Sequence, residues 1–425
     1  MKSRTALWKR FLAFLGPLVL TNVLQAFGGT VITIYLGQLL GVQSLAAAVA
    51  FFPLFMCCIS FVIGLGAGAS VLVGQAWGAR DEDKVRRVAG TVLVGTLILA
   101  GVVGAVGVLG IGQVLRALGT PADVLADSTA YARVLLVAMP FLFLQLICAA
   151  ILRGVGDTVT PLKALVVASG VWILLTPALI LGWLGLPRLG TLSAAWASMA
   201  GNAASVVWLA WHLHRRGHLL APRTLRPHLR LDKPLLGTVV RLGIPTGLFF
   251  VTSSLADVML LSIVNGYGSQ ATAAWGAVTQ VMAYVQFPAM SIAIAASVFA
   301  AQAIGAGELD EVDRVTRVGL WMNLLLTGGL AALVALAAPL AVGLFTRDAA
   351  VIDLAAAALR IAAWGSVAFG LASVFTGVMR SAGTVRVPTI ISLGCLGLLL
   401  FPLAWVFQHA IGVKGVWASY PVTYV

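Results

Sequence analysis

Gln75-Ala76-Trp77-Gly78-Ala79, followed by Asp83, Val85, Arg87 and Val88, returns as Gln302-Ala303-Ile304-Gly305-Ala306, followed by Asp310, Val312, Arg314 and Val315. Every residue of the second set lies 227 positions beyond its counterpart, since 302 − 75 = 227. The same offset carries Arg133 onto Arg360, Arg153 onto Arg380, Gly156 onto Gly383 and Pro161 onto Pro388. The chain therefore consists of two like halves.

Outward from that repeat, the sequence is apolar almost throughout. Hydrophobic residues make up 60% of the 425 positions and charged residues 10%, whereas a soluble domain carries about 25% charged residues. Apolar runs of about 20 residues or more recur along the chain, each long enough to cross a bilayer as a helix. These features predict an all-α polytopic membrane protein without a sizeable soluble domain. Paired halves in such a protein are the architecture of transporters.

The runs predict helices near 11–36, 45–74, 89–115, 131–152, 162–185 and 191–213, then near 239–265, 272–302, 316–345, 355–379 and 388–411. A twelfth begins near 415 and is expected to be incomplete at Val425. Six spans per half return the chain to its starting side, so the halves are parallel repeats about an axis along the membrane normal. The expected organisation is an N-lobe over 1–213, a cytoplasmic linker over 214–236 and a C-lobe over 237–425.

A formal net charge of +13 raises the question of nucleic acid, and the placement of the charges answers it. With a cytoplasmic N-terminus, 21 of the 27 Lys and Arg residues fall on the cytoplasmic side. The six on the other side are Arg116, Arg133, Arg188, Arg347, Arg360 and Lys414. That asymmetry is the positive-inside bias of a membrane protein, and it sets the expected orientation. The first apolar run follows Lys9 and Arg10 but is too long for a signal peptide, so it is expected to remain as the first helix. Cys57, Cys58, Cys148 and Cys395 lie in apolar runs without disulfide or metal spacing. His212, His214, His218 and His228 flank or lie in the basic linker and are expected to be solvated rather than metal ligands.

Prolines interrupt many spans. Pro17 and Pro245 occupy like positions in the two halves, displaced by one residue, and are the expected hinges. Glycines such as Gly64, Gly66 and Gly68 are expected to let helix backbones approach closely. The duplicated Gln75/Gly78 and Gln302/Gly305 corners end a long span in a short charged loop, which suits a structural turn. Arg153, Gly156, Asp157 and Pro161 form the turn between spans four and five. Their copies are Arg380, Gly383, Thr384 and Pro388.

Together, the twelve-span plan, the Gly-Ala-Arg-Asp corner and the Arg-Gly-x-Gly-Asp-x-x-x-Pro turn resemble the MATE (multidrug and toxic compound extrusion) transporters, nearest their DinF-like branch, over residues 10–420. The resemblance implies export of bulky organic cations or drugs in exchange for protons or sodium, from a bacterial inner membrane, by a monomer without cofactor. It also marks a departure. Many prokaryotic members carry an aspartate before a Thr-Ile-x-x-Gly string in span one; here that string is Thr33 to Gly37 and the preceding residue is Ile32. Their Asn-x-x-x-Asp pair in span five appears here as Trp172 and Thr176.

One acid remains inside a span. Of 14 Asp and Glu residues, 13 fall in loops, at span ends or in the linker, whereas Asp257 lies deep in span seven. A charge there is costly unless it meets water or a partner, so an intramembrane acid is a functional candidate by default. Asp257 is the expected ion-coupling residue, with Ser253 and Ser254 on the same helical face. Gln25, Thr30, Phe249, Gln280, Tyr284 and Gln286 are the further candidates for a substrate cavity, the aromatic rings suiting a cation.

Other functions are set against this one. No Walker-type phosphate loop occurs, so direct use of ATP is not expected. A lipid-linked saccharide flippase of the same superfamily is the nearest rival, disfavoured because no Arg or Lys lies deep within the spans. Gly154-Val155-Gly156-Asp157 also resembles the motif of GxGD-type intramembrane proteases, which need a second membrane aspartate; the repeat places Thr384 where Asp157 has its copy. No enzymatic activity and no metal are expected.

Overall fold

The computed structural model describes residues 4–344, 346 and 348–424. Lys2 and Arg347, counted in the charge asymmetry, lie outside the described residues. The described chain is helical, without strands, and passes through twelve helical segments. These are α1 (Arg4–Tyr35), α2 (Val42–Gly78), α3 (Glu82–Ala117), α4 (Ala122–Gly154), α5 (Val159–Leu181) and α6 (Leu192–Arg215), then α7 (Lys233–Asn265) and α8 (Ser269–Gly305). Next, α9 starts as Leu309–Met322 and continues through Gly328–Leu336 and Ala338–Gly343; α10 is Ala349–Ser381. The last two are α11, made of Arg386–Gly394 and Leu400–Ile411, and α12 (Val413–Tyr424). Among the described residues, ten helices are long and apolar enough to cross a membrane, all but α6 and α12.

The repeat is written into the backbone. Adding 227 to the bounds of α2 gives those of α8, and adding it to the bounds of α4 gives those of α10. Gly41 before α2 has φ 90° and Gly268 before α8 has φ 96°, a region that glycine enters without steric cost. Arg80 (φ 58°) and Gly307 (φ 74°) share that conformation at the next corner. Arg133 donates from Nε to the Val108 carbonyl at 3.3 Å, and Arg360 to the Ala335 carbonyl at 3.4 Å. Both donors and both acceptors are 227 apart, so the duplicated arginines tie neighbouring helices in the same way in each half.

The chain divides into two compact units. One comprises Met1–Val19 with Leu248–Val425, and the other Leu20–Gly247. This contact-based division differs from halves counted along the sequence. The start of α1 groups with the C-terminal unit, and the linker with the start of α7 groups with the N-terminal one. Each crossover falls two residues beyond the proline inside its helix, Pro17 in α1 and Pro245 in α7.

Within the C-terminal unit, Leu7, Phe11, Phe14, Leu15 and Leu18 pack against Ile292, Phe299, Val315 and Met322. The Phe11 and Phe299 rings are 4.9 Å apart. Within the N-terminal unit, the glycine string of α2 allows backbone contact, as its composition predicts. A Cβ on Gly64 would strike the Gly243 carbonyl, and one on Gly68 the Val239 carbonyl. The linker does not hang free. It lies along α3, where Thr91 donates to the Arg230 carbonyl at 3.1 Å and Gly90 faces the His228 carbonyl.

Three π-helical turns interrupt the helices, at Leu36–Leu40, Asn323–Thr327 and Cys395–Leu399. Such turns are rare and are tolerated where neighbouring groups take up the freed backbone.

Candidate functional site

Asp257 sits two-thirds of the way along α7, at the border of two faces. Ala256, Leu260 and Val264 are buried in the core of the C-terminal unit. Ser254, Asp257 and Val258 are exposed. The carboxylate is held from α12, where the Tyr420 hydroxyl donates to Asp257 Oδ1 at 2.5 Å. Tyr420 is placed in turn by aromatic packing: its ring lies 6.4 Å from that of Trp275 on α8, and Trp275 lies 6.0 Å from Trp417, one turn before Tyr420. Gly415 permits this close seating of α12, because a Cβ there would strike the Phe407 backbone of α11.

The C-terminal unit carries further ring pairs on α7, α8 and α10. Phe249 stacks on Phe369 of α10 at 6.4 Å and meets Phe250 edge-on at 5.9 Å. Tyr284 and Phe287 form a second edge-on pair at 5.6 Å. Ser253 and Gln286 are half-buried, whereas Ser254, Gln280 and Tyr284 are exposed. The serines share the acid's flank of α7, but the hydrogen bond that orients the carboxylate comes from Tyr420. Sequence reasoning missed Tyr420, Trp417 and Phe369. The aromatic pair Trp417 and Tyr420, three apart on one helix face, was the available signal.

The N-terminal unit is different in kind. Gln25 and Thr30 are exposed on α1, and the Thr30 hydroxyl donates back to the Ala26 carbonyl at 3.1 Å. The positions where the family resemblance expects acids are filled with hydrocarbon. Trp172 packs with Ala168, Ala197 and the partly buried Ile32. Its ring lies over Gly28, where any side chain would collide with it, and against Gly201. Thr176 is fully buried and donates to the Trp172 carbonyl at 2.6 Å. The expected polar site is thus an apolar plug around Trp172, and the Thr176 hydroxyl is satisfied inside its own helix.

The motif residues take up structural posts. Gln75 and Gly78 end α2; Gln302 and Gly305 end α8. Arg153 and Arg380 lie in the last turns of α4 and α10, ahead of Gly156 (φ 95°) and Gly383 (φ 80°), with Pro161 and Pro388 in the first turns of the helices that follow. Asp157 Oδ1 accepts from the backbone N–H groups of Val159 and Thr160 at 3.0 and 2.9 Å, which starts α5. That capping role accounts for the acid of the Gly-x-Gly-Asp string without protease chemistry. Among the described residues no group of His, Cys, Asp and Glu is arranged to hold a metal. The expectation of solvated histidines needs correction at three of the four: His228 is half-buried, with Nε2 3.7 Å from Asp83 Oδ1. His212 stacks on Trp208 at 4.6 Å, and His218 is half-buried with Nδ1 accepting the Leu220 N–H at 3.1 Å.

Comparison with known proteins agrees with this architecture. The sequence profile of the MatE family matches residues 17–178 and again 245–406. The chain is 41% identical over 426 aligned positions to the probable multidrug resistance protein YoeA of Bacillus subtilis, covering 100% of this chain and 92% of that one. It is 21% identical to the multidrug export protein MepA of Staphylococcus aureus over 97% of this chain and 90% of the relative. Its fold matches a mutant of the Vibrio cholerae MATE transporter VcmN with a TM-score of 0.92 at 21% identity, covering 100% of this chain and 95% of the other. Two profile matches, one on each half, and an identity of 41% along the whole length place this chain in the MATE family of multidrug transporters, which are membrane carriers and not enzymes.

Proposed function

We propose that this protein is a secondary antiporter that exports organic cations or drugs in exchange for protons or sodium, with Asp257 as the ion-coupling carboxylate. The observation that carries this reading is the pairing of Asp257 with Tyr420, whose ring packs with Trp275, in a chain whose N-terminal acid positions are filled by Ile32 and Thr176. An intramembrane carboxylate can exchange a proton or hold a sodium ion, and the oxygen not bonded to Tyr420 keeps its acceptor capacity. Phe249, Phe250 and Tyr284 offer ring faces to a cationic substrate, and Ser253, Ser254, Gln280 and Gln286 offer hydrogen bonds. Gln25 and Thr30 are the polar candidates of the N-terminal unit, exposed on α1.

The protein works as a monomer in a bacterial inner membrane with its N-terminus in the cytoplasm, as its charge distribution supports. Alternating access comes from bending at Pro17 and Pro245, where helices pass between the two units. Efflux of a fluorescent organic cation from proteoliposomes under imposed proton or sodium gradients tests the proposal. Wild type concentrates the substrate under one of the two gradients, and Asp257→Asn loses that coupling. Asp257→Asn transporting as well as wild type against a gradient would falsify the assignment.

A further inference from the structure

The N-terminal unit contains a cavity whose lining shares no residue with the surroundings of the acid on α7. It has a volume of about 390 Å³ and is lined by Trp77, Val155, Gly156, Asp157, Val159, Thr160, Lys163, Arg216 and His218. Three motifs that transport chemistry leaves unused meet there: the corner after α2, the turn between α4 and α5, and the start of the linker. We propose that this cavity binds a phosphate-bearing anion, the head group of an acidic phospholipid or free phosphate.

The charge inventory of the cavity points to an anion. Lys163 and Arg216 make no ion pair among the described residues, so both cations are available. The single acid, Asp157, spends Oδ1 on the N–H groups of Val159 and Thr160. His218 uses Nδ1 as an acceptor for the Leu220 N–H, which leaves Nε2 as a donor. Two cations and a donor therefore converge on one concave site. Arg supplies a planar fork that matches phosphate oxygens, and Lys a point charge. Trp77, 39% exposed, with Val155 and Val159, gives the same cavity an apolar wall. That wall suits the glycerol and upper acyl carbons of a lipid, as tryptophan does at membrane interfaces.

The repeat provides an internal control. The corresponding turn in the C-terminal unit has Ile304 for Trp77, Thr384 for Asp157, Arg386 for Val159 and Ile390 for Lys163. It has the same glycine conformation, φ 80° at Gly383 against 95° at Gly156. The fold builds this turn without Lys163, Asp157 or Trp77, so the turn's backbone alone does not explain those three residues.

The test uses the full-length protein in detergent. Native mass spectrometry compares binding of phosphatidylglycerol and phosphatidylcholine, and thermal melting follows a titration with inorganic phosphate. Wild type should bind phosphatidylglycerol more tightly than phosphatidylcholine. Lys163→Gln with Arg216→Gln should weaken phosphatidylglycerol binding roughly thirtyfold, as expected for two surface cations. Arg223→Gln with Arg226→Gln, which removes two exposed linker charges, should leave binding near wild type, because neither residue lines the cavity. A rise in melting temperature with inorganic phosphate, present in wild type and absent in the Lys163/Arg216 double variant, would assign the site to the free ion. Equal binding of both probes by wild type and that double variant, or an equal loss in the Arg223/Arg226 control, overturns the proposal.

Discussion

At the scale of single residues, the two sites pose opposite electrostatic problems. Asp257 is a carboxylate in an apolar helix, and the Tyr420 hydroxyl donates to its Oδ1 at 2.5 Å. A hydrogen bond to a charged group contributes about 1.5–3 kcal/mol. Tyr420→Phe is therefore expected to lower the melting temperature in detergent and to slow ion-driven efflux about tenfold or more in proteoliposomes. His218 is the reverse case, a group that folding prefers neutral. Burial, with nearby Arg216 and His212, holds its imidazole below the ordinary value of 6.5 against the opposing pull of Asp157. The folded chain then binds fewer protons than the unfolded one between the lowered value and 6.5. The stabilisation is full above about pH 6.5 and is lost as pH falls through the folded value. Wild type should lose melting temperature as pH falls below about 6.5, and His218→Asn, which keeps an acceptor for the Leu220 N–H, should lose less. Equal slopes for the two proteins would exclude His218 as the source.

At the scale of elements, close backbone packing and one large side chain carry the N-terminal unit. Gly64 and Gly68 let α2 touch the first turns of α7 at Gly243 and Val239. Overpacking of such a contact costs about 1–3 kcal/mol or more, so Gly68→Val should lower the melting temperature clearly, whereas Gly16→Ala, with open space around its Cβ position, should not. Trp172 plugs the space between α1, α5 and α6. Trp172→Ala is expected to destabilise by about 3–5 kcal/mol through the cavity it leaves, read as thermal unfolding in detergent. Much of this level was legible beforehand. The glycine string announced backbone contact, and Ile32 and Trp172 announced a missing acid site. The filling of that site by the Trp172 ring was not legible, because a side chain's direction depends on neighbours distant in sequence.

At the scale of the whole molecule, the contact-based units do not coincide with the sequence halves. The exchange of the first parts of α1 and α7 between units means that each unit is completed by a helix continuous with the other. A proline lies two residues before each crossover, where its missing N–H weakens the helix ladder. Pro245→Ala is expected to leave folding intact, slightly raise the melting temperature and reduce turnover several-fold in an efflux assay. Unchanged turnover would argue against bending at that position.

The sequence by itself determined the class of this protein, its twelve helical segments and its duplication. Those follow from hydrophobic run length and from a fixed offset of 227, both properties of the chain taken one residue at a time. Even the repeated Arg133 and Arg360 were visible, though their carbonyl partners were not. Only the tertiary structure decided what meets what: Tyr420 with Asp257, Ile32 with Trp172, and Lys163 with Arg216 and His218 around one cavity. Each set joins residues from different helices. Their proximity is set by helix packing and by which glycines let backbones approach, and no local pattern encodes that.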